Sequence, residues 1–229
     1  MIARDLPAGP TLRGRIRFTD RDDGDFRVDG PLDVLARRRR AVAGGRWTWL
    51  RQVHGSTVVA VDEPGAGAGV EADASVTTVP GAVLAVQTAD CAPVVLVADG
   101  AVAVAHAGWR GLVDGVLAAT VDEVRARAPG PISAVIGPCI APLSYEFGPD
   151  ELSRVVAVAG SRARASTSEG LPALDLPAAV TSLLRAAGVH RVDDLALDTA
   201  SPRFWSHRVR HDLGRQATVV WLEPTGPAR

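Results

Sequence analysis

The stretch Ala82–Ala107, AVLAVQTADCAPVVLVADGAVAVAHA, decides the fold. It holds three valine-rich runs, Ala82–Gln87, Pro93–Ala98 and Ala101–His106, each of strand length and separated by turn residues. Asp99-Gly100 between the last two is a tight-hairpin signal, so these runs are expected as antiparallel neighbours. Their outer ends, at Cys91 and His106, then fall on the same side of the sheet.

Upstream, a helix is expected around Leu32–Val42, with strands near Trp47–Val53, Thr57–Val61 and Ala74–Val79. Downstream, Leu112, Val116, Leu117, Val121 and Val124 recur at helical spacing, which predicts a helix after Gly111. A strand over Ile132–Ile136 precedes Gly137-Pro138-Cys139-Ile140-Ala141-Pro142, which breaks regular structure. Helices over Pro149–Ala159 and Pro177–Ala187 each carry Pro near the start, and strands near Asp194–Leu197 and Ala217–Leu222 follow. Strands and helices mix without strict βαβ alternation. The expected class is therefore α+β, a mixed β-sheet core flanked by helices in a single domain over 1–229. The glycine-rich segment 63–69 reads as a surface loop within it.

The chain of 229 residues contains neither Lys nor Asn, so all 25 basic residues are Arg. A GC-rich codon usage accounts for the absences, and they still constrain the chemistry. There is no lysine for a Schiff base, no Walker-type phosphate loop, no N-glycosylation acceptor and no Asn to orient a triad. A net charge of −1 argues against a general nucleic-acid binder. The run Arg37–Arg40 reads as the solvated face of a helix. No apolar run reaches the length of a membrane span, and the N-terminal residues lack the apolar stretch of a secretion signal. Two cysteines, Cys91 and Cys139, make no disulfide framework. The expected setting is the cytoplasm, with reduced thiols and no membrane partner.

Three reactive side chains sit at the ends of expected strands: His54, Cys91 and His106, each beside a small residue, Gly55, Ala92 or Ala107. Two imidazoles and a thiolate suit zinc, and three protein ligands leave a fourth position for water or substrate, as a catalytic zinc requires. Asp90 is placed to orient a ligand or act as a base. The spacing, 36 residues and then 14, is not that of a compact finger. From the residues alone three readings stand: a metal site, a structural cysteine with two hydrogen-bonded histidines, and a Cys–His nucleophilic dyad.

The ordered set LRQVHGSTVV (50–59), EADASVTT (71–78), AVQTADCAPVVLV (85–97), AVAVAHAGWRGLVDGV (101–116), IGPCIAPLSYEFG (136–148) and FWSHRVRHDLGRQATVVWL (204–222) resembles the YfiH/YlmD family. Its members were formerly called laccase-domain or polyphenol oxidase-like proteins and are now described as purine nucleoside phosphorylases. The resemblance implies a YfiH-like fold and a zinc-dependent phosphorylase acting on adenosine, inosine and methylthioadenosine, with adenosine deaminase activity. It implies that His54, Cys91 and His106 ligate the zinc, with copper the alternative ion, and that they form the catalytic site with Asp90. Arg51, Arg110, His207 and Arg208 lie in matching motifs and are expected to bind substrate. With no Lys, any phosphate clamp must be Arg, His or metal. The implied partners are a purine nucleoside and phosphate, for a monomer or homodimer.

Three other functions compete: a cysteine hydrolase or amidase using Cys91 and His106, a copper polyphenol oxidase, and a metal-binding module with reduced activity. Five histidines are few for a multicopper oxidase. The chain also departs from the family pattern. Phe18-Thr19-Asp20-Arg21 matches its opening signature, but Asp22-Asp23-Gly24-Asp25 replaces the usual Gly-Gly turn, and the segment 1–46 is expected to be shortened. Asn residues usual in the family are absent, and Leu197-Asp198-Thr199 lacks the usual Cys. These departures bear on substrate recognition and leave the three expected ligands intact.

Overall fold

The structure, a computed structural model, describes residues 1–226. In chain order the strands are β1 (Ile2–Pro7), β2 (Leu12–Phe18), β3 (Trp47–Trp49), β4 (Val58–Ala60), β5 (Ala74–Thr77), β6 (Val83–Thr88), β7 (Ala92–Ala98), β8 (Ala101–Ala107), β9 (Ser133–Ile136), β10 (Arg164–Ser166), β11 (Pro172–Leu174), β12 (Arg191–Asp194) and β13 (Gln216–Pro224). The helices are α1 (Leu32–Val42), α2 (Trp109–Val113), α3 (Val116–Arg127), α4 (Pro149–Ala159), α5 (Leu176–Ala186) and α6 (His207–Arg210). None is long and apolar enough to cross a membrane.

Two sheets carry the fold, in the orders β1-β2-β13-β6-β3 and β12-β9-β7-β8-β5-β4. Their strand pairs are mostly antiparallel, with β3/β6, β4/β5 and β9/β12 parallel. The α+β expectation holds, as mixed sheets flanked by helices. The period-2 rule explains the layers. Val95 and Val97 of β7 and Val102 and Val104 of β8 meet Ile16, Phe18, Leu84 and Val220 of the facing sheet. The alternate residues, Val94, Leu96, Ala103 and Ala105, meet Leu117 and Val121 of α3 and Val155 of α4. β7 and β8 are thus buried on both faces, which is why both read as continuous apolar runs. Truncating such a residue, as in Leu96→Ala, costs about 2–5 kcal/mol. A third cluster, with Phe26, Trp47, Val83, Ala85 and Val219, covers the outer face of the first sheet.

The hairpin at Asp99-Gly100 forms as expected, pairing Ala98 with Ala101 and Pro93 with His106. α1 and α4 run over the expected residues. The helix expected after Gly111 starts earlier, at Trp109, and breaks at Gly115, whose φ of +88° is a left-handed conformation that glycine adopts freely. The strand expected over Trp47–Val53 stops at Trp49, because Arg51 turns to pair with Val70 and Ala72 and Asp73 then captures the amides of Val53, His54 and Gly55. The strand expected near Asp194–Leu197 lies at Arg191–Asp194 instead. There the Asp194 side chain accepts from the Ala196 amide at 2.9 Å and turns the chain. β1, β2, β10, β11 and α6 were not anticipated. β2 was readable: Arg13, Arg15 and Arg17 alternate with Leu12, Gly14, Ile16 and Phe18.

Candidate metal centre and cleft

His106 lies one residue before the end of β8, opposite Pro93 of β7, and Cys91 immediately precedes β7. The hairpin register therefore brings Cys91 and His106 to one end of the sheet. His54 arrives from a separate loop and sits at φ +61°, a strained conformation for a residue with a side chain. Asp73, fully buried at the start of β5, holds it there. Its carboxylate accepts from the amides of Val53 at 3.2 Å, His54 at 3.0 Å and Gly55 at 2.7 Å. Gln52 fixes the same loop to β6, accepting from the Gln87 amide at 2.8 Å and donating to the Gln87 carbonyl at 2.7 Å.

The donor atoms of His54, Cys91 and His106 all lie within 4.8 Å of one another, the one such group of three or more His, Cys, Asp or Glu donors among the described residues. Cys91 Sγ is 3.9 Å from His54 Nε2, and the two imidazole rings meet edge to face with centroids 4.7 Å apart. His106 Nδ1 donates to Asp73 Oδ1 at 2.8 Å, which leaves its Nε2 for Cys91 or a metal. A histidine ligand is oriented in this way by a carboxylate on its other nitrogen. Gly108 leaves the space open, since a Cβ there would lie 2.7 Å from His54 Cδ2 and 3.1 Å from Cys91 Sγ. The donor set, the spacing and the Asp73 contact all fit a zinc-sized cation.

The electrostatics favour a cation as well. Burial opposes the Cys91 thiolate, but the charge of His106 and hydrogen bonds from His106 and His54 bring its pKa down to about 6. Burial likewise opposes a charged His106, but the Cys91 thiolate and Asp73 raise it to about 9. Burial would raise the Asp73 carboxyl, yet its bonds to His106 and the Gly55 amide hold it below the usual range. Positive charge is thus stabilised between Cys91 and Asp73, whether carried by a proton or by a metal.

A cleft of about 700 Å³ opens over the three residues. Of the four residues expected to bind substrate, Arg51 and His207 line it, Arg51 on the exposed rim 3.5 Å from Glu71 and His207 at the start of α6. Arg110 and Arg208 are not among the lining residues. The Arg110 guanidinium stacks over Trp109 at 4.7 Å, and that of Arg208 over Tyr145 at 5.1 Å. Asp90 makes no hydrogen bond or ion pair with His54 or His106. At φ +94°, it accepts from Thr199 Oγ1 at 2.7 Å and from the Arg208 amide at 2.6 Å, so it ties the Cys91 loop to the C-terminal segment. Cys139 is a buried core residue whose thiol burial pushes well up.

Two arginines not expected together, Arg27 and Arg215, line the cleft. One carboxylate holds both: Asp25 Oδ1 accepts from the Arg27 amide at 2.9 Å and the Arg215 amide at 3.0 Å. Asp25 belongs to the turn that departs from the family pattern. Asp73 was missed too, although it lies in the matching stretch EADASVTT. The signal was that a ligating histidine needs an acceptor for its second nitrogen.

The family model described as multi-copper polyphenol oxidoreductase laccase matches residues 18–223. A Mycobacterium tuberculosis protein named purine nucleoside phosphorylase is 37% identical over 211 residues, covering 87% of this chain and 84% of its own. Purine nucleoside phosphorylase YfiH of Escherichia coli is 38% identical over 204 residues, covering 85% and 83%. The crystal structure of YlmD from Geobacillus stearothermophilus superposes with a TM-score of 0.80 at 26% identity, covering 94% of this chain and 93% of its own. That fold and these relatives agree with the family match over nearly the whole described chain, so the protein belongs to the laccase-like YfiH/YlmD family.

Proposed function

We propose that the chain is a zinc-dependent purine nucleoside phosphorylase that cleaves adenosine, inosine and methylthioadenosine with phosphate and deaminates adenosine at the same site. The observation that carries this reading is the convergence of His54, Cys91 and His106 within 4.8 Å under a cleft lined by arginines. The names of the relatives support the phosphorylase chemistry. A zinc held by these three residues supplies a Lewis acid with an open coordination position.

The chain's own residues do the rest. Asp73 fixes the His106 tautomer and the His54 loop, so two of the three donors depend on one carboxylate. Arg27, Arg51 and Arg215 offer guanidinium groups for phosphate, the role that a lysine-free chain must give to arginine. Arg27, paired with Asp25, and Arg215, whose Nη1 donates to the carbonyls of Asp212, Leu213 and Gly214, would exchange those bonds for the phosphate. His207 borders the nucleoside from α6, whose place Asp90 secures through the Arg208 amide. Two histidines and one thiol in the cluster, and five histidines in the whole chain, favour zinc over a multicopper assembly. Adenine released from adenosine only when phosphate is present tests the reading, and inosine formed without phosphate tests deamination.

One observation favours a second reading. Cys91, lowered to about 6, faces His106, which Asp73 orients as in a Cys–His–Asp triad. A cysteine hydrolase or amidase would then act through Cys91, and its activity would survive complete removal of metal.

A further inference from the structure

Gln87 occupies a position whose neighbours along β6 are apolar. Val83 and Ala85, four and two residues earlier on the same face, pack with Phe26, Trp47 and Ala217. Gln87 stands opposite Ala217 in the register and lines the cleft. It is only 7% exposed, yet neither Nε2 nor Oε1 of its side chain has a hydrogen-bond partner. The adjacent Thr88 also lines the cleft and leaves its buried Oγ1 unpaired. Gln52, the other cleft glutamine, has both amide atoms paired with the Gln87 backbone. Gln52 is therefore a positioning residue, and the Gln87 amide is the unpaired one. It is closed to solvent in this structure, so a ligand in the cleft meets it once the side chain turns outward. Buried polar groups are paired in the great majority of cases, and an orphan at a binding cleft asks for the group that completes it.

A primary amide presents one donor and one acceptor side by side. Its complement is the edge of a heterocycle with the same pair reversed. A 6-oxopurine offers O6 to Nε2–H and N1–H to Oε1. A 6-aminopurine offers N1 to Nε2–H and N6–H to Oε1. Turning the amide about its last torsion exchanges the two, so one glutamine serves both bases. We propose that Gln87 is the specificity residue that pairs two-point with N1 and the 6-substituent of the ligand's purine. The proposal rests on the nucleoside reading above and deepens it.

Binding of free bases, in the presence of inorganic phosphate, is measured by calorimetry on the zinc-loaded wild-type protein and on Gln87→Met. Wild type binds adenine and hypoxanthine about tenfold or more tighter than purine, which lacks the 6-substituent, and than 1-methylhypoxanthine, whose N1 is blocked. Gln87→Met abolishes that preference, keeps its zinc and melts no lower than wild type, because an unpaired buried amide has been replaced by an apolar side chain. Equal affinity of the wild type for all four bases overturns the proposal without recourse to a variant. A Gln87→Met protein that keeps the preference, or that loses stability while keeping it, overturns it too and shows an amide satisfied by buried water. The two readings fail separately. Selective base binding through Gln87 with no base released from adenosine removes the phosphorylase and leaves the specificity residue. Turnover of adenosine and inosine with the preference intact in Gln87→Met does the reverse.

Discussion

Asp73 binds His106 Nδ1 at 2.8 Å with the same carboxylate that takes the amides of Val53, His54 and Gly55. One buried residue thus sets the orientation of two histidines that reach the site from different parts of the chain. Asp73→Asn places an amide nitrogen where only acceptors fit. The expected outcome is a 10- to 100-fold loss of zinc affinity and a stability loss of about 1–3 kcal/mol from the unpaired amides. Zinc titration against a competing chelator and a thermal melt of the metal-free protein measure the two effects.

Gly108 leaves room beside His54 and Cys91 that a methyl group would fill. Gly108→Ala is expected to lower zinc affinity about tenfold or more while costing about 1–3 kcal/mol of stability, the usual range for overpacking. Zinc content after gel filtration, set against the melting temperature, separates loss of the site from loss of the fold.

Asp90 holds Thr199 and the Arg208 amide. Under the proposed function, that carboxylate would act on the nucleoside by fixing the segment that carries His207. Asp90→Ala should raise KM for adenosine, on the order of tenfold given two buried bonds to a charged group, with zinc content kept and the pH–rate profile unshifted. A profile that loses a limb would instead make Asp90 a proton-transfer group.

The Cys91 thiol, lowered to about 6, is mostly thiolate at pH 7 in the metal-free protein. Because the thiolate is the reactive form, iodoacetamide should alkylate Cys91 at a rate nearly flat above pH 7 that falls as the pH drops through about 6. Bound zinc should protect it. Cys139, whose thiol is raised by burial, should stay unmodified under the same conditions. Mass spectrometry of the modified peptides reads both sites.

The hairpin, and with it the meeting of Cys91 and His106, was legible because Asp99-Gly100 fixes the register, whereas His54 arrives on a loop and the resemblance, not a local signal, joined it to them. Asp73 was not legible, since its role exists only once β5 pairs with β8 and brings Ala74 opposite Ala105. Arg110 and Arg208 are expected to bind substrate because they lie in motifs that match the family, and a motif does not say where a guanidinium group rests. In the structure these guanidinium groups, carried by α2 and α6, lie over the rings of Trp109 and Tyr145. Arg27 lies in a stretch with no motif of its own, and two long-range bonds place it at the cleft: the Arg215 amide donates to Asp25, and the Phe26 amide donates to the Arg215 carbonyl. The helix break at Gly115 follows from a backbone conformation that apolar periodicity does not encode.

The rate of adenine release from adenosine and phosphate, followed through removal and return of zinc, tests the central claim most directly. The account predicts that the rate vanishes on chelation, returns with stoichiometric zinc, and is absent from a Cys91→Ser protein that no longer retains the metal. A metal-free protein that keeps the rate, or a zinc-loaded one that releases no adenine, would contradict it.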